Sequence, residues 1–566
     1  MIKIKQQIAA VVGDYIKGLQ AEFNEDISAL LEYPSDSSLG DIALPCFRFS
    51  RALRQAPPKI AADIKAAIDG KLDGVKEIAV AGGYLNFFLN ESYFNEVLKG
   101  IAATENFGSS KVGEGKVVCI DFSSPNIAKR FHVGHLGTTA IGGCLKNLHE
   151  FCGYETVGIN YLGDWGTQFG KLIVAYKKWS SEEKINERGI EELVDIYVRF
   201  SAESEKDDSL NDEARAAFAK LESMDEEYLA IWQKFKEISL REYMKTYELL
   251  GVKFDSFNGE SFYNDKMQRV IDELRAKALL IVDDGASIVD LSEYKMPPAI
   301  ILKKDGATLY ATRDIAAAIW RKENYNFHKC LYVTSAGQSL HFAQYFKVVE
   351  LMGYAWAGDL VHIPYGTMSV GGEKLASRTG NVILLDDLFG EAIAKAEKII
   401  EEKNAELKDK RKTAEAVGVG AIVFNALSNS RIKDTNFVWE DALSFDGNTG
   451  PYVQYTYART SSVLRKAVGE RKGFEGYEPL KEEVALVKAV SEFPTKVLAA
   501  LKDYEPSVIA RYALDLCAAF NLFYHNINIL KSEGAALEFR LCLTAQTREV
   551  LGKALDLLGM KRTEEI

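Results

Sequence analysis

The sequence predicts a multidomain α/β protein: a parallel-sheet domain carrying a helical insertion, preceded by an α+β N-terminal domain and followed by an all-helical C-terminal domain. Three observations carry this reading. From about residue 117, short apolar strand-like runs alternate with amphipathic helices, the mark of β-α-β units. An acidic, helical stretch breaks that alternation between about 178 and 298. After about 390, helical periodicity dominates to the end. A chain of 566 residues, 47% apolar and 27% charged, can bury several cores, and its length suits about three or four domains.

Residues 1–110 read as one unit. An amphipathic helix opens it, Gly40-Asp41 turns the chain, a helix follows Pro57-Pro58, and Gly83 to Leu89 form a strand with large apolar residues. The glycine-rich stretch from Gly108 to Gly115 is a linker. The next unit spans 111–390. Val117 to Ile120 is a buried strand, His135 to Phe151 a helix, and Val157 to Tyr161 the next strand. Beyond the insertion (178–298), Ala299 to Leu302 and Thr308 to Ala311 continue the sheet around an Asp305-Gly306 turn. A helix from Arg313, a strand from Leu331 to Thr334 and a helix from Ser339 complete it. Residues 391–446 read as linking helices and 447–566 as a separate helical unit.

Charge and cysteines narrow the function. Lys plus Arg number 69 against 81 Asp plus Glu, a net charge of -12, which excludes a uniformly basic shell and leaves nucleic acid only local patches. Seven cysteines, with no C-x-x-C pair, suit a reduced, cytosolic setting. Lys3, Lys5 and Asp14 interrupt the first helix, so no signal peptide is expected, and no run of 18 apolar residues suggests a membrane span.

Two nucleotide motifs fail. The G-x-G triplets at Gly113 and Gly418 have Val118 and Val423 at the third glycine position, and Gly115-Lys116 lacks the flanks of a phosphate loop. The densest chemistry lies between Asp121 and His135, where Asn126, Lys129, His132, Gly134 and His135 crowd a strand exit and helix entry. Ligands bind there in parallel sheets. Helix amides and imidazole donors would suit a nucleoside triphosphate, with Gly134 admitting a flat base; a metal pair or simple capping fits the two histidines equally well.

Further motifs weigh the choice. With Gly163-Asp164-Trp165-Gly166-Thr167-Gln168-Phe169-Gly170 and the distant Lys374 to Asn381 segment, the chain resembles the class I arginyl-tRNA synthetases over nearly its whole length. His132-Val133-Gly134-His135 matches the first class signature, and Lys374-Leu375-Ala376-Ser377-Arg378 stands in the place of the second. The resemblance implies a Rossmann-like catalytic domain, an N-terminal domain that contacts tRNA, helices at 391–446 that contact its stem, and a helical anticodon-binding domain. It implies a monomeric, cytoplasmic enzyme. Arginine would attack the α-phosphate of ATP, giving arginyl adenylate, and then pass to the terminal ribose of tRNA(Arg). Mg²⁺ would come with the ATP phosphates, with no dedicated metal site and no prosthetic group. Arginine activation would itself require tRNA.

The resemblance also distributes roles. His132, Gly134, His135, Lys129 and Lys374 would bind ATP, with Arg378 a further phosphate contact. Ser377 occupies the position of the loop's second lysine, and Lys129 would supply the missing charge. Asp121, Tyr310 and Asp314 would line the guanidinium pocket, since a planar fork of five donors binds best to carboxylates. Relatives often have Glu at the position of Asp121. Asn126 and Gln338 would hold the α-amino end. Asp314 could also cap its helix, and His341 reads as a packed ring. Near the C-terminus, Tyr457 and Arg459 are the expected tRNA contacts, a ring for stacking and a cation for phosphate. Two other readings are another class I synthetase, such as one for cysteine or glutamate, and a synthetase-like RNA-binding protein without catalysis.

Overall fold

A computed structural model describes residues 1–34, 36–371, 373–374, 383–467 and 473–566. Four apolar runs form a parallel sheet: β1 (Val117–Asp121), β2 (Glu155–Ile159), β3 (Lys329–Ser335) and β4 (Leu360–Tyr365), in the order β4-β3-β1-β2. Their β-branched and aliphatic residues suit strands covered on both faces. Helix α1 (Leu136–Phe151) connects β1 to β2, and Ile141, Leu145 and Leu148 on it are buried. The insertion supplies the long helix α2 (Glu226–Leu250), capped by Asp225 and ended by Gly251 in the left-handed region. Helices α3 (Tyr310–Tyr325) and α4 (Ser339–Leu351) flank β3 in sequence.

The order of elements departs from the expectation at two points. Ala299–Leu302 is a strand, but it pairs antiparallel with Ala286–Val289 in a separate three-stranded sheet, and the parallel sheet resumes only at β3. Periodicity identifies a strand and is silent about its neighbour. Nor do Thr308 to Ala311 form a strand: Thr308 makes only an isolated bridge to Leu302, and α3 already begins at Tyr310. Thr312 Oγ1 donates to the Ile301 carbonyl at 2.6 Å, which fixes the first turn of that helix. After 390 the chain is helical as expected, apart from a short strand, Thr435–Phe437, parallel to Met368–Val370. No helix among the described residues is long and apolar enough to cross a membrane.

The chain divides into two compact units. One comprises residues 109–455, 497–513 and 553–566 and contains the parallel sheet; the other comprises 1–108, 456–496 and 514–552. In the latter, the helix Ile2–Gly18 buries Ile4, Ile8, Val12 and Ile16 along one face. The strand Tyr84–Leu89 runs between Ile42–Pro45 and Val75–Ala81, antiparallel to both. Asp41 accepts from Lys488 Nζ at 2.6 Å and Asn95 donates to the Tyr477 carbonyl at 2.6 Å, so residues distant in sequence close one core.

The most buried charge of this unit is Glu483, fully enclosed, with Arg540 Nε at 2.6 Å, the Leu480 amide at 2.6 Å and the Tyr477 hydroxyl at 2.9 Å. Removing one member of such a pair leaves an uncompensated charge. Arg540→Met should therefore cost about 3–5 kcal/mol and lower the melting temperature of the full chain. Glu483→Gln combined with Arg540→Met should recover most of the loss. A single variant that melts like the parent would remove the ion pair from the account of stability.

Candidate active site

The site begins where β1 ends. Residues 121–132 leave the sheet in a loop with Ser123, Ser124 and Ala128 at φ of 68°, 49° and 59°, positions that cost about 1 kcal/mol or more each for residues with a side chain. Helix α2 holds that loop with a polar stripe spaced by three and four residues. Ser239 Oγ accepts from the Ala128 amide at 2.8 Å, and the Tyr243 hydroxyl meets the carbonyls of Asn126 and Lys129 at 2.8 and 2.6 Å. The Tyr247 hydroxyl bonds Ser123 Oγ and Asn160 Nδ2 at 2.8 and 2.9 Å. One turn earlier, Lys236 meets Asp164 at 2.7 Å, and the Trp232 indole donates to its carbonyl. These partners satisfy backbone groups that a loop entering a core would otherwise leave bare.

The loop delivers two imidazoles to the start of α1. The His132 amide donates to His135 Nδ1 at 3.2 Å, and the Gly134 amide to His132 Nδ1 at 3.1 Å. Because His132 Nδ1 accepts, its neutral ring carries the proton on Nε2 and donates there, whereas His135 Nδ1 lies 3.2 Å from both the amide and the carbonyl of His132. Burial, then the His132 ring and the Lys129 ammonium, hold His135 down at about 3; burial and Lys129 lower His132 as well. Both rings are neutral donors near pH 7, and His135 stacks on Phe131 with centroids 4.8 Å apart. The Ile383 carbonyl accepts from the Val133 amide at 3.1 Å, and the Leu385 amide donates to Phe131, so the chain following the second signature is paired to the first.

A cavity of about 680 Å³ opens at the C-terminal ends of β1 and β3, the position at which open parallel sheets take ligands. It brings together five of the expected residues: Asp121, Asn126, Tyr310, Asp314 and Gln338, with His135 at its edge. Asp314 lies inside α3, whose N-cap is Leu309, so it does not cap the helix. Its carboxylate accepts from the Tyr161 hydroxyl at 3.1 Å and from His341 Nε2 at 2.6 Å. Gly134 borders a smaller cavity of about 140 Å³ with Tyr365, Met368 and Arg431. Lys129 is exposed beside the histidines.

Asp121 is present but differently engaged. Its oxygens meet Ser124 Oγ at 2.9 Å and the Arg321 guanidinium at 2.8 Å, both internal partners. Burial pushes its carboxyl up and Arg321 pulls it back. Asp121 thus lines the cavity with Arg321 as its counter-ion. The expectation for Tyr457 is corrected: it is 1% exposed and lies under the Arg548 guanidinium at 5.0 Å, so no base can stack on it in this packing. Arg459, half-buried, bonds Asn521 and lies 5.3 Å from the Tyr524 ring centre. Lys374 stands on a two-residue strand opposite Ser369; Ser377 and Arg378 fall outside the described residues.

Among the charged and imidazole side chains lining the cavity, the sequence assigned no site role to His341, Glu260 and Arg321. Tyr310, Asp314 and Arg321 follow a helical stripe, i, i+4, i+11, and His341 follows Gln338 by three; these spacings were the available signals. Glu260, after the insertion, had none. It lies 3.2 Å from Arg313 Nη1, and burial, with Asp314 and Asp164 nearby, pushes it up to about 7 against the pull of Arg313.

The chain has strong counterparts among known proteins. The family described as tRNA synthetases class I (R), catalytic domain, matches residues 97–439. The Arginyl tRNA synthetase N terminal domain matches residues 3–89, and the DALR anticodon binding domain 453–566. A relative from Alkaliphilus metalliredigens named Arginine–tRNA ligase is 47% identical over 570 residues, covering 100% of both chains. One of the same name from Clostridium beijerinckii is 48% identical over 547 residues, 96% of this chain and 97% of that one. Among solved structures, the arginyl-tRNA synthetase of Plasmodium falciparum superposes with a TM-score of 0.82 at 26% identity, covering 100% of this chain and 99% of that one. That of Thermus thermophilus shares the fold with a TM-score of 0.84 at 24% identity, covering 100% of both.

Gly163 offers a direct test of the site's packing. Its amide and carbonyl bond Pro125 and Ile127, and a Cβ there would lie 1.8 Å from Asn126 Oδ1. Gly163→Ala should cost about 1–3 kcal/mol, seen as a lower melting temperature. Adding Asn126→Gly, which removes the obstructing side chain, should recover part of it. An unchanged melting temperature in the single variant would show that the approach is looser than described.

Proposed function

We propose, from the premise that this chain belongs to the class I arginyl-tRNA synthetase family, that the cavity at the ends of β1 and β3 is where arginine and ATP react. The protein is an arginine–tRNA ligase, an aminoacyl-tRNA synthetase that uses ATP. The observation that carries the site assignment is the meeting of Asp314 and Glu260 with the His132-His135 signature in and beside one cavity. Carboxylates select a guanidinium at one end, and neutral imidazole donors face phosphate at the other.

In this reading, Asn126 and Gln338 hold the α-amino end of arginine, while Asp314, aided by Glu260 and Tyr310 at the rim, receives the guanidinium. The arginine carboxylate oxygen bonds to the α-phosphorus as the bond to the bridging oxygen breaks, and pyrophosphate leaves with the electron pair. A hydroxyl of the terminal ribose of tRNA(Arg) then attacks the adenylate carbonyl, and AMP departs. His132 and His135 donate Nε2–H to phosphate oxygens as charge moves toward pyrophosphate. Lys129, beside both rings, supplies the cation, with Lys374 and Arg378 as further phosphate contacts. Mg²⁺ arrives with the ATP phosphates. Arg459 is the tRNA contact of the helical bundle, acting on phosphate. The enzyme works as a monomer in the cytoplasm, and tRNA orders the site for the first step.

Purified protein with ATP, tRNA and a panel of amino acids should charge arginine alone. Charging of cysteine or glutamate, or of nothing, would overturn the reading. Lys129→Ala should reduce adenylate formation about 10²- to 10³-fold while arginine binding changes little; near-normal turnover would return the charge to the second class signature. The Glu260 carboxyl, at about 7, also gives a pH test. It ionises as pH rises, adding negative charge beside the guanidinium, so arginine affinity should rise by up to about tenfold between pH 6 and 8. Calorimetry should show that rise in the parent and not in Glu260→Gln; an equal rise in both would locate the titration elsewhere.

A further inference from the structure

Tyr247 reaches the second histidine of the signature by two routes. The first is a chain of hydrogen bonds with one link from each element around the site: Asn160 after β2, Tyr247 on α2, Ser123 after β1 and Thr139 on α1, all of them buried. Asn160 Nδ2 lies 2.9 Å from the Tyr247 hydroxyl, and that hydroxyl lies 2.8 Å from Ser123 Oγ. Ser123 Oγ is 2.9 Å from Thr139 Oγ1, which is 2.7 Å from the His135 carbonyl. A carbonyl only accepts and each hydroxyl carries one proton, so the order is set from that end. Thr139 donates to the carbonyl, Ser123 to Thr139, Tyr247 to Ser123, and the Asn160 amide to Tyr247. Burial pushes the phenol up to about 12 against the pull of its two partners, so it keeps its proton throughout the neutral range.

The second route is the ring. Tyr247 meets Phe131 edge to face with centroids 5.6 Å apart, and Phe131 stacks on the His135 imidazole with the two planes 6° apart. The backbone and the side chain of His135 are thus held from one residue, the former by hydroxyls and the latter by a ring. Buried hydrogen bonds in series strengthen one another, and cutting any link leaves a polar group bare. We propose that Tyr247 is a positioning residue for the reaction: fully enclosed and out of reach of substrate, it sets where the His135 ring meets phosphate. This deepens the function proposed above and rests on it. The insertion thereby contributes to the chemical step through a residue that no ligand touches.

A mutational cycle on the full chain tests this. Transfer of arginine to tRNA is followed in single turnover, so that slow variants remain readable, with melting temperature as a check on folding. Tyr247→Phe keeps the ring and cuts the chain of hydroxyls. It should lower the rate constant about tenfold, on a scale where a misplacement of about 1 Å costs about 10²-fold, and leave the arginine concentration for half-maximal rate within about threefold of the parent's. His135→Asn should lower the rate constant about 10²- to 10³-fold. Adding Tyr247→Phe to His135→Asn should cost less than about twofold more, because a residue that acts only through His135 has nothing left to act on. Thr139→Val, at the other end of the chain, should match Tyr247→Phe, and the two together should be no worse than either alone. A folded Tyr247→Phe with the parent's rate constant would overturn the inference. So would one that costs as much in the His135→Asn background as in the parent, which is what a general loosening of the fold would give. Should Tyr247→Phe fail to fold, Thr139→Val decides by the same two comparisons. A parent that charges no arginine, or a His135→Asn variant as fast as the parent, would sink the functional reading of the signature and this inference with it, whereas additive losses in an active parent sink this inference alone.

Discussion

The site depends on one face of one helix. A loop with three left-handed residues is held at the mouth of a parallel sheet because Ser239, Tyr243 and Tyr247 of α2 bond its backbone and side chains at 2.6 to 2.8 Å. Each bond is individually modest, about 1 kcal/mol net. Together they hold a conformation that the loop's own residues disfavour, and they fix the orientation of His132 and His135. The insertion that carries α2 is thus part of the scaffold of the proposed active site.

The same economy appears on α3, where rim, middle and inner wall of the cavity come from a single helical stripe. Tyr310, more than half exposed, stands at the rim, Asp314 faces Tyr161 and His341, and Arg321 closes the inner side on Asp121. Because Thr312 ties the first turn to Ile301, the helix cannot slide without breaking a buried bond. Polar chemistry at several depths is set by the placement of one rigid element.

Much of this was legible in the sequence, and the reason is local density. The residues from 121 to 135 declare themselves by crowding, and the strand and helix around them follow from simple periodicity. What sequence could not supply was pairing between distant segments. Nothing in Ala299–Leu302 says that it joins a hairpin and not the parallel sheet. Nothing near Asp121 announces Arg321, and nothing in Asn258-Gly259-Glu260 places a carboxylate at the cavity. Tyr457 failed for a related reason: a helix with aromatic residues on several faces must bury some of them, and only the packing of its neighbours decides which. Ser377 and Arg378 lie outside the described residues.

The stripe on α3 also restricts how this pocket can change over evolutionary time. Each residue added to a helix turns everything beyond it by about 100°. Between Tyr310 and Arg321, a substitution alters one contact, whereas a single insertion or deletion would rotate the inner counter-ion away from Asp121 while leaving the rim in register. The helix therefore acts as an angular index, and the length of this segment carries information as binding as the identity of any side chain on it.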